Sequence, residues 1–211
     1  PVAHVLERMA VYFYTLNGLT SYFADNPKNV AIILKEIHPT IVVVVPRILE
    51  RIYESMTIAD ESARGFKRYI VKNAIKVAKI AVPSKRPTLM HRFYDRLVYH
   101  KMRDAIGGNF KLVVSGSSSL NKSILRFLLN IGIPIREGYG MTECSPVVSV
   151  NSLADNKPGT IGKPLAHLDV KIGENNEILV KGDSVFGGYH NMPETNATIF
   201  TKDGYYKTGD Q

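Results

Sequence analysis

The chain has 211 residues, 45% hydrophobic and 22% charged, with a formal net charge of +8 and a pI near 9.5. This is ordinary globular composition, and it excludes collagen-like, coiled-coil and disordered architectures. No apolar run reaches the roughly 20 residues of a membrane-spanning helix, nothing at the start reads as a signal peptide, and the single cysteine, Cys144, excludes an internal disulfide and a cysteine-based zinc cage while fitting a reducing cytoplasm.

Residues 2–19, VAHVLERMAVYFYTLNGL, read as a mostly apolar helix ending at Asn17-Gly18. KNVAIILKEIHP (28–39) reads as a second helix, stopped by Pro39. TIVVVV (40–45) is a continuous β-branched run, the pattern of a strand buried on both faces of a parallel sheet. Pro46 opens the next helix, PRILERIYESM, in the first-turn position where proline is tolerated. Helix, buried strand, helix is the order of an α/β fold with a parallel-sheet core.

A basic helical segment, 64–106, follows. From Arg64 to Arg103 there are 12 Lys and Arg against one acid, Asp95, so the rest of the chain is net acidic. Arg68, Lys72, Lys76 and Lys79 share one face of a predicted helix, with Phe66, Ile70, Ala74, Val77 and Ala81 opposite. Pro83 and Pro87 bracket a basic turn, SKR, and a second helix (89–106) ends at Gly107-Gly108. A cationic stripe of this kind is either a solvated helix face or a contact for an anionic membrane surface. The aromatic residues of the segment fit helix packing and form no nucleic-acid motif.

KLVVSG (111–116) is predicted as a short strand entering a Gly/Ser turn, and 119–132 as a helix capped by Asn121 or Ser119. PIREGYG returns to the sheet edge and PVVSVN is another strand. After about Asn151 the texture changes to regular glycines. LDVKIG and NEILVKG read as paired strands of a small β subdomain, turned at Asn175-Asn176, and a short helix runs from Pro193 to Phe200. The expected division is an α/β portion, 1–150, and a β-rich portion, 151–211. Both ends read as cut from a longer chain.

Three turns carry polar groups out of these elements. In VVSGSSSL a strand runs through Ser117, Ser118 and Ser119 toward a helix N-terminus, where small residues let a flat ligand approach the backbone; a bland tight turn has the same composition. In EGYGMTE, Gly138 and Gly140 permit unusual backbone angles beside Tyr139, so its ring can lie flat against a ligand. Thr142 offers a hydroxyl and Glu143 a hard oxygen ligand for magnesium; the alternative is an ordinary helical cap. In YYKTGD, Asp210 can accept two hydrogen bonds from a ribose diol, or satisfy its own backbone.

EGYGMTE, then GDSVFGGY, then GYYKTGD, in this order, resemble the adenylate-forming superfamily, and AHVLER with VVVPRILERIYE (43–54) are similar to its long-chain fatty acyl-CoA synthetase branch. The resemblance covers essentially the whole chain. It implies the later part of the superfamily's large N-terminal domain. It implies an acid–thiol ligase that forms an acyl-adenylate from ATP and a fatty acid and then a thioester with coenzyme A, with magnesium. Ser117, Ser118 and Ser119 then resemble the main chain flanking adenine, and Tyr139, between Gly138 and Gly140, the aromatic residue on its other face. Thr142 resembles the α-phosphate contact, Glu143 the magnesium ligand and Asp210 the ribose acid. His4 resembles a histidine near the acyl and pantetheine tunnel, with a plain helix-end histidine as the alternative. The superfamily's phosphate loop and its C-terminal lysine have no counterpart here, which implies that this segment alone does not turn over. A fatty acyl-AMP ligase, another acid–CoA ligase and a noncatalytic nucleotide-binding or membrane-surface module stay open. A peptide-synthetase adenylation domain is disfavoured by Met141, where that group has proline. Cys144 reads as a packing residue.

Overall fold

The computed structural model describes residues 3–24, 26, 29–62, 65–83 and 87–211. The expected SKR turn, and Val2, Lys28 and Arg64 of the expected helical segments, lie outside the described residues. Eight helices and two sheets are formed among the described residues: α1 (Val5–Leu16), α2 (Val30–Ile37), β1 (Ile41–Val44), α3 (Pro46–Ser62), α4 (Gly65–Ile80), α5 (Leu89–Tyr94) joined through a π-helical turn, Asp95–Tyr99, to α6 (His100–Asp104), β2 (Leu112–Ser115), α7 (Lys122–Asn130), β3 (Ile135–Gly140), β4 (Val147–Val150), β5 (Lys163–Pro164), β6 (Leu168–Ile172), β7 (Ile178–Gly182), α8 (Pro193–Ile199) and β8 (Tyr206–Lys207). No helix among them is long and apolar enough to cross a membrane.

The first sheet has the order β1-β2-β3-β4-β5. Its first three strands are parallel, with Val43 opposite Val114 and Val114 opposite Arg136, as expected for an α/β core. β3 and β4 then pair antiparallel, as do β4 and β5, so this sheet extends past residue 151 to Pro164. The second sheet, β6-β7-β8, is antiparallel and turns at Asn175 and Asn176, whose φ values of 56° and 60° are the left-handed geometry that asparagine tolerates.

α3, α4, the π-helical turn and α7 pack over the parallel strands in one core, with Phe127, Leu128, Ile131 and Tyr99 fully buried. α7 starts at Asn121, whose side chain accepts the Ser123 amide. At its far end the buried Asn130 donates to the carbonyls of Ala78 and Ala81 at 2.9 and 2.8 Å, tying α7 to the end of α4. A second core (Cys144, Val148, Leu168, Ile178, Val180 and Tyr206) joins the turn after β3 to the second sheet.

Two packing expectations are corrected. β1 is half-buried along its whole length instead of covered on both faces, because a cavity runs beside it against α1 and α2. On α4 the buried residues are Ala74, Ile75 and Ala78, whereas Phe66 is 78% exposed. At about 100° per residue, Phe66 lies roughly 130° from the centre of that face. Lys72 and Lys76 point to solvent as expected.

Candidate functional site

A cavity of about 260 Å³ opens where the C-terminal ends of β2 and β3 meet the start of α1. His4, Ser115, Ser117, Tyr139, Thr142 and Glu143 stand in its wall, with Gly138 and Gly140. Crevices beyond the C-terminal ends of parallel strands are where open α/β sheets bind ligands.

The serine turn contributes unevenly. Gly116 is buried so closely that an added Cβ would lie 3.2 Å from Leu6 Cδ2. Ser117 follows in the left-handed region, φ 71°, and lines the cavity. Ser118 and Ser119 are exposed and do not line it. Ser115, which the sequence reading passed over, is 2% exposed in the cavity wall, and its hydroxyl has no hydrogen-bond partner among the described residues. Burying a hydroxyl without a partner is costly, so this group is a standing acceptor and donor for a ligand.

Gly138 and Gly140 are where they were expected, for a different reason. Neither has a positive φ; both lie within strand β3. Their need is space. A Cβ on Gly140 would stand 2.0 Å from the Pro146 carbonyl oxygen, and one on Gly138 would stand 3.0 Å from that of Ser149. The two glycines let β4 close against β3 through a register shift at Tyr139/Gly140.

That closure sets Tyr139. Its hydroxyl donates to Asp210 Oδ2 at 2.7 Å, joining two motifs that are 71 residues apart. Burial, then the bond to Asp210, pushes the Tyr139 phenol above its ordinary value, so it stays protonated and a donor. Asp210 is held by its main chain: its carbonyl accepts the Ile178 amide at 2.8 Å and its amide donates to Thr208 Oγ1 at 3.1 Å. Its carboxylate therefore reaches across to Tyr139 instead of closing on its own turn.

Thr142 to Cys144 form a short 3-10 turn, with Thr142 exposed at the cavity. The Glu143 carbonyl accepts the Phe186 amide at 2.8 Å, and its Oε1 accepts the Tyr189 hydroxyl at 2.9 Å. Tyr189 went unassigned in the sequence, although Gly187-Gly188 before it marks a turn able to deliver a side chain inward. Cys144 is fully buried, and burial followed by the charge of Glu143 raises its thiol to about 11, so it packs and does not attack. His4 combines both of its readings: it caps α1, accepting the Leu6 amide at 3.4 Å, and lines the cavity.

Among the described residues no group of three or more His, Cys, Asp or Glu gathers for a metal. Glu143 is thus a single hard-oxygen donor. That suits magnesium, which keeps its waters and is commonly held by one or two carboxylates plus substrate phosphates. A second cavity of about 770 Å³, lined largely by apolar residues of α1, α2 and β1, shares His4, Leu6 and Ser117 with the first.

Residues 1–190 match the AMP-binding enzyme family. The long-chain-fatty-acid–CoA ligase FadD15 of Mycobacterium tuberculosis is 36% identical across the whole of this chain, which covers 36% of that relative. Long chain acyl-CoA synthetase 7, peroxisomal, of Arabidopsis thaliana is 30% identical, with 32% of its length covered. The chain thus spans about a third of the length of these curated relatives. Among solved structures, O-succinylbenzoate coenzyme A synthetase (MenE) from Bacillus subtilis, in complex with ATP and magnesium ion, superposes with a TM-score of 0.64 at 19% identity, over 99% of this chain and 37% of that one. Apo MatB from Rhodopseudomonas palustris does so with a TM-score of 0.64 at 22% identity, over 99% and 36%. At these identities the likeness is one of fold.

Proposed function

This chain belongs to the AMP-binding enzyme family, and we propose that it is a segment of an ATP-dependent long-chain fatty acid–CoA ligase. The observation that carries this reading is the 2.7 Å bond from Tyr139 to Asp210, which ties the aspartate motif to a cavity walled by Tyr139, Thr142 and Glu143. In the proposed reaction a fatty carboxylate oxygen attacks the α-phosphorus of ATP, the bond to pyrophosphate breaks, and an acyl-adenylate forms. The coenzyme A thiolate then attacks the acyl carbon, and AMP leaves with the electron pair.

The residues here bind and orient. The Tyr139 ring lies against adenine, with the main chain of Ser117 along its edge, while Ser118 and Ser119 stay outside the cavity. Asp210 accepts the ribose hydroxyls, with Oδ2 already oriented by Tyr139. Thr142 donates to the α-phosphate. Glu143 with phosphate oxygens would hold magnesium, which neutralises phosphate charge. His4 stands between the two cavities, and the larger, apolar one falls within the volume range of small-molecule sites, which supports a fatty acyl group there. We place the α/β portion at 1–150 and the β-rich portion at 151–211, with β5 returning to the first sheet. The 211-residue chain alone is expected not to turn over.

The test is pyrophosphate release by the full-length protein with ATP, magnesium and acids from acetate to palmitate. Release with long-chain acids, converted to thioester when coenzyme A is added, supports the ligase. Adenylate without thioester favours an acyl-AMP ligase instead, release confined to short or aromatic acids moves the substrate class, and silence across the panel from a folded protein refutes the reading.

We also propose that the ligase is cytoplasmic and touches anionic membrane through 64–103. Lys72 and Lys76 of α4 share their exposed face with Tyr69 and Ile80, the mixed cationic and apolar surface of an interfacial helix. Each basic residue near such a surface adds about 1 kcal/mol. Flotation should favour anionic over neutral vesicles; equal binding to both would sink the idea.

A further inference from the structure

We infer that Tyr189 is a positioning residue for the cation site, acting through Glu143; this rests on the assignment of Glu143 above. The hydroxyl of Tyr189 donates to Glu143 Oε1 at 2.9 Å. Oε2 makes no hydrogen bond among the described residues, and Glu143 lines the cavity. One oxygen is therefore held while the other stays available to a hard cation bridging to phosphate. A glutamate on a short turn has three side-chain torsions, and a donor on one oxygen removes much of that freedom before the cation arrives. Partners that orient a metal ligand in this way are worth about 10–100-fold in metal affinity.

Tyr189 is itself held at three points. Its amide donates to Asn196 Oδ1, and Asn196 Nδ2 donates back to the Tyr189 carbonyl, both at 2.8 Å. A Cβ on Gly188 would lie 2.9 Å from Asn196, so the turn before Tyr189 closes directly onto α8. The Tyr189 ring meets Phe186 edge-on at 4.8 Å, and the Phe186 amide donates to the Glu143 carbonyl. The 186–189 segment thus grips Glu143 by main chain and side chain together. Its anchor, α8, lies about 50 residues downstream of the glutamate it orients. The geometry gives Tyr189 no contact with the reacting groups, so its effect belongs to cation affinity.

The experiment is an equilibrium titration of Mn2+ against the full-length protein with ATP, read by the EPR signal of free Mn2+, with three variants. Tyr189→Phe keeps the ring and its edge-on packing against Phe186 and removes the hydroxyl, which donates to Glu143 and also meets the Tyr206 side chain. It should weaken Mn2+ binding about tenfold, with ATP binding in the absence of divalent cation unchanged. Phe186→Leu loosens the packing but keeps the hydroxyl, and should leave Mn2+ affinity within about twofold of the unmodified protein; a loss matching that of Tyr189→Phe would mean that packing alone is at work and would overturn the inference. Glu143→Gln separates the two readings. If it weakens Mn2+ binding while Tyr189→Phe does not, the role of Tyr189 is overturned and the Glu143 site stands. If neither variant moves Mn2+ binding, the assignment of Glu143 has failed and the inference falls with it.

Discussion

Gly140→Ala tests the β3–β4 turn, on which the cavity depends. The new Cβ would stand 2.0 Å from the Pro146 oxygen, 2.8 Å from its carbonyl carbon and 3.0 Å from Val147 Cα. All three are backbone atoms, so no side chain can swing aside. The same oxygen accepts the Met141 amide at 2.8 Å, and relieving the clash breaks that bond. Overpacking costs about 1–3 kcal/mol and the lost hydrogen bond about 0.5–1.5 kcal/mol, together roughly 2–4 kcal/mol. In a chain of this size each kcal/mol moves the melting temperature by about 2–4 °C, so the drop should be roughly 5–15 °C. Two companions grade the effect. Gly138→Ala meets the Ser149 oxygen at 3.0 Å, a contact that a small strand shift relieves, and should cost about 1 kcal/mol. Gly187→Ala meets nothing within 4 Å and has no positive φ, so it should stay within about 0.5 kcal/mol. Circular-dichroism melting of the three variants gives the order directly. A Gly140→Ala chain melting within about 2 °C of the unmodified one would refute the close approach of the two strands.

Phe127 is fully buried with its ring edge-on to Tyr53 at 5.1 Å, so Phe127→Ala should cost about 3–5 kcal/mol in urea unfolding, with most of the loss in the midpoint. The hydrogen bond from Lys171 holds the Asp203 carboxyl down at about 2. The folded value lies below the unfolded one near 4, so the stabilisation is present above about pH 4 and is lost as the pH falls toward 2. Melting curves of Asp203→Asn and the unmodified chain should therefore converge across that interval; a gap that stays constant down to pH 2 would rule out this pairing.

Much of the fold is legible along the chain because its signals are local. Pro46 marks the start of α3, Asn121 caps α7, and Asn175-Asn176 turns the second sheet, each through the conformational preference of one or two residues. The candidate residues Tyr139, Thr142, Glu143 and Asp210 are legible by pattern in the same way. The site's second layer is not. Tyr189 reaches Glu143 across 46 residues, and Ser115 loses its partners only when β2 is covered. Nothing adjacent to either residue in sequence signals this.

The sequence by itself determined where most of the helices and strands lie, which segment carries the positive charge, and which side chains are chemically equipped for a nucleotide; β5 and β8 were not among the strands it foretold. Tertiary structure decided which of them meet. It set Tyr139 against Asp210, left Ser118 and Ser119 outside the cavity, and turned Phe66 to solvent. It also changed the reason for Gly138 and Gly140 from backbone angle to room for the neighbouring strand. Element boundaries follow from backbone preferences of a few consecutive residues, whereas a contact across 71 residues depends on the register of two sheets, and that register is set only when all the strands pair at once.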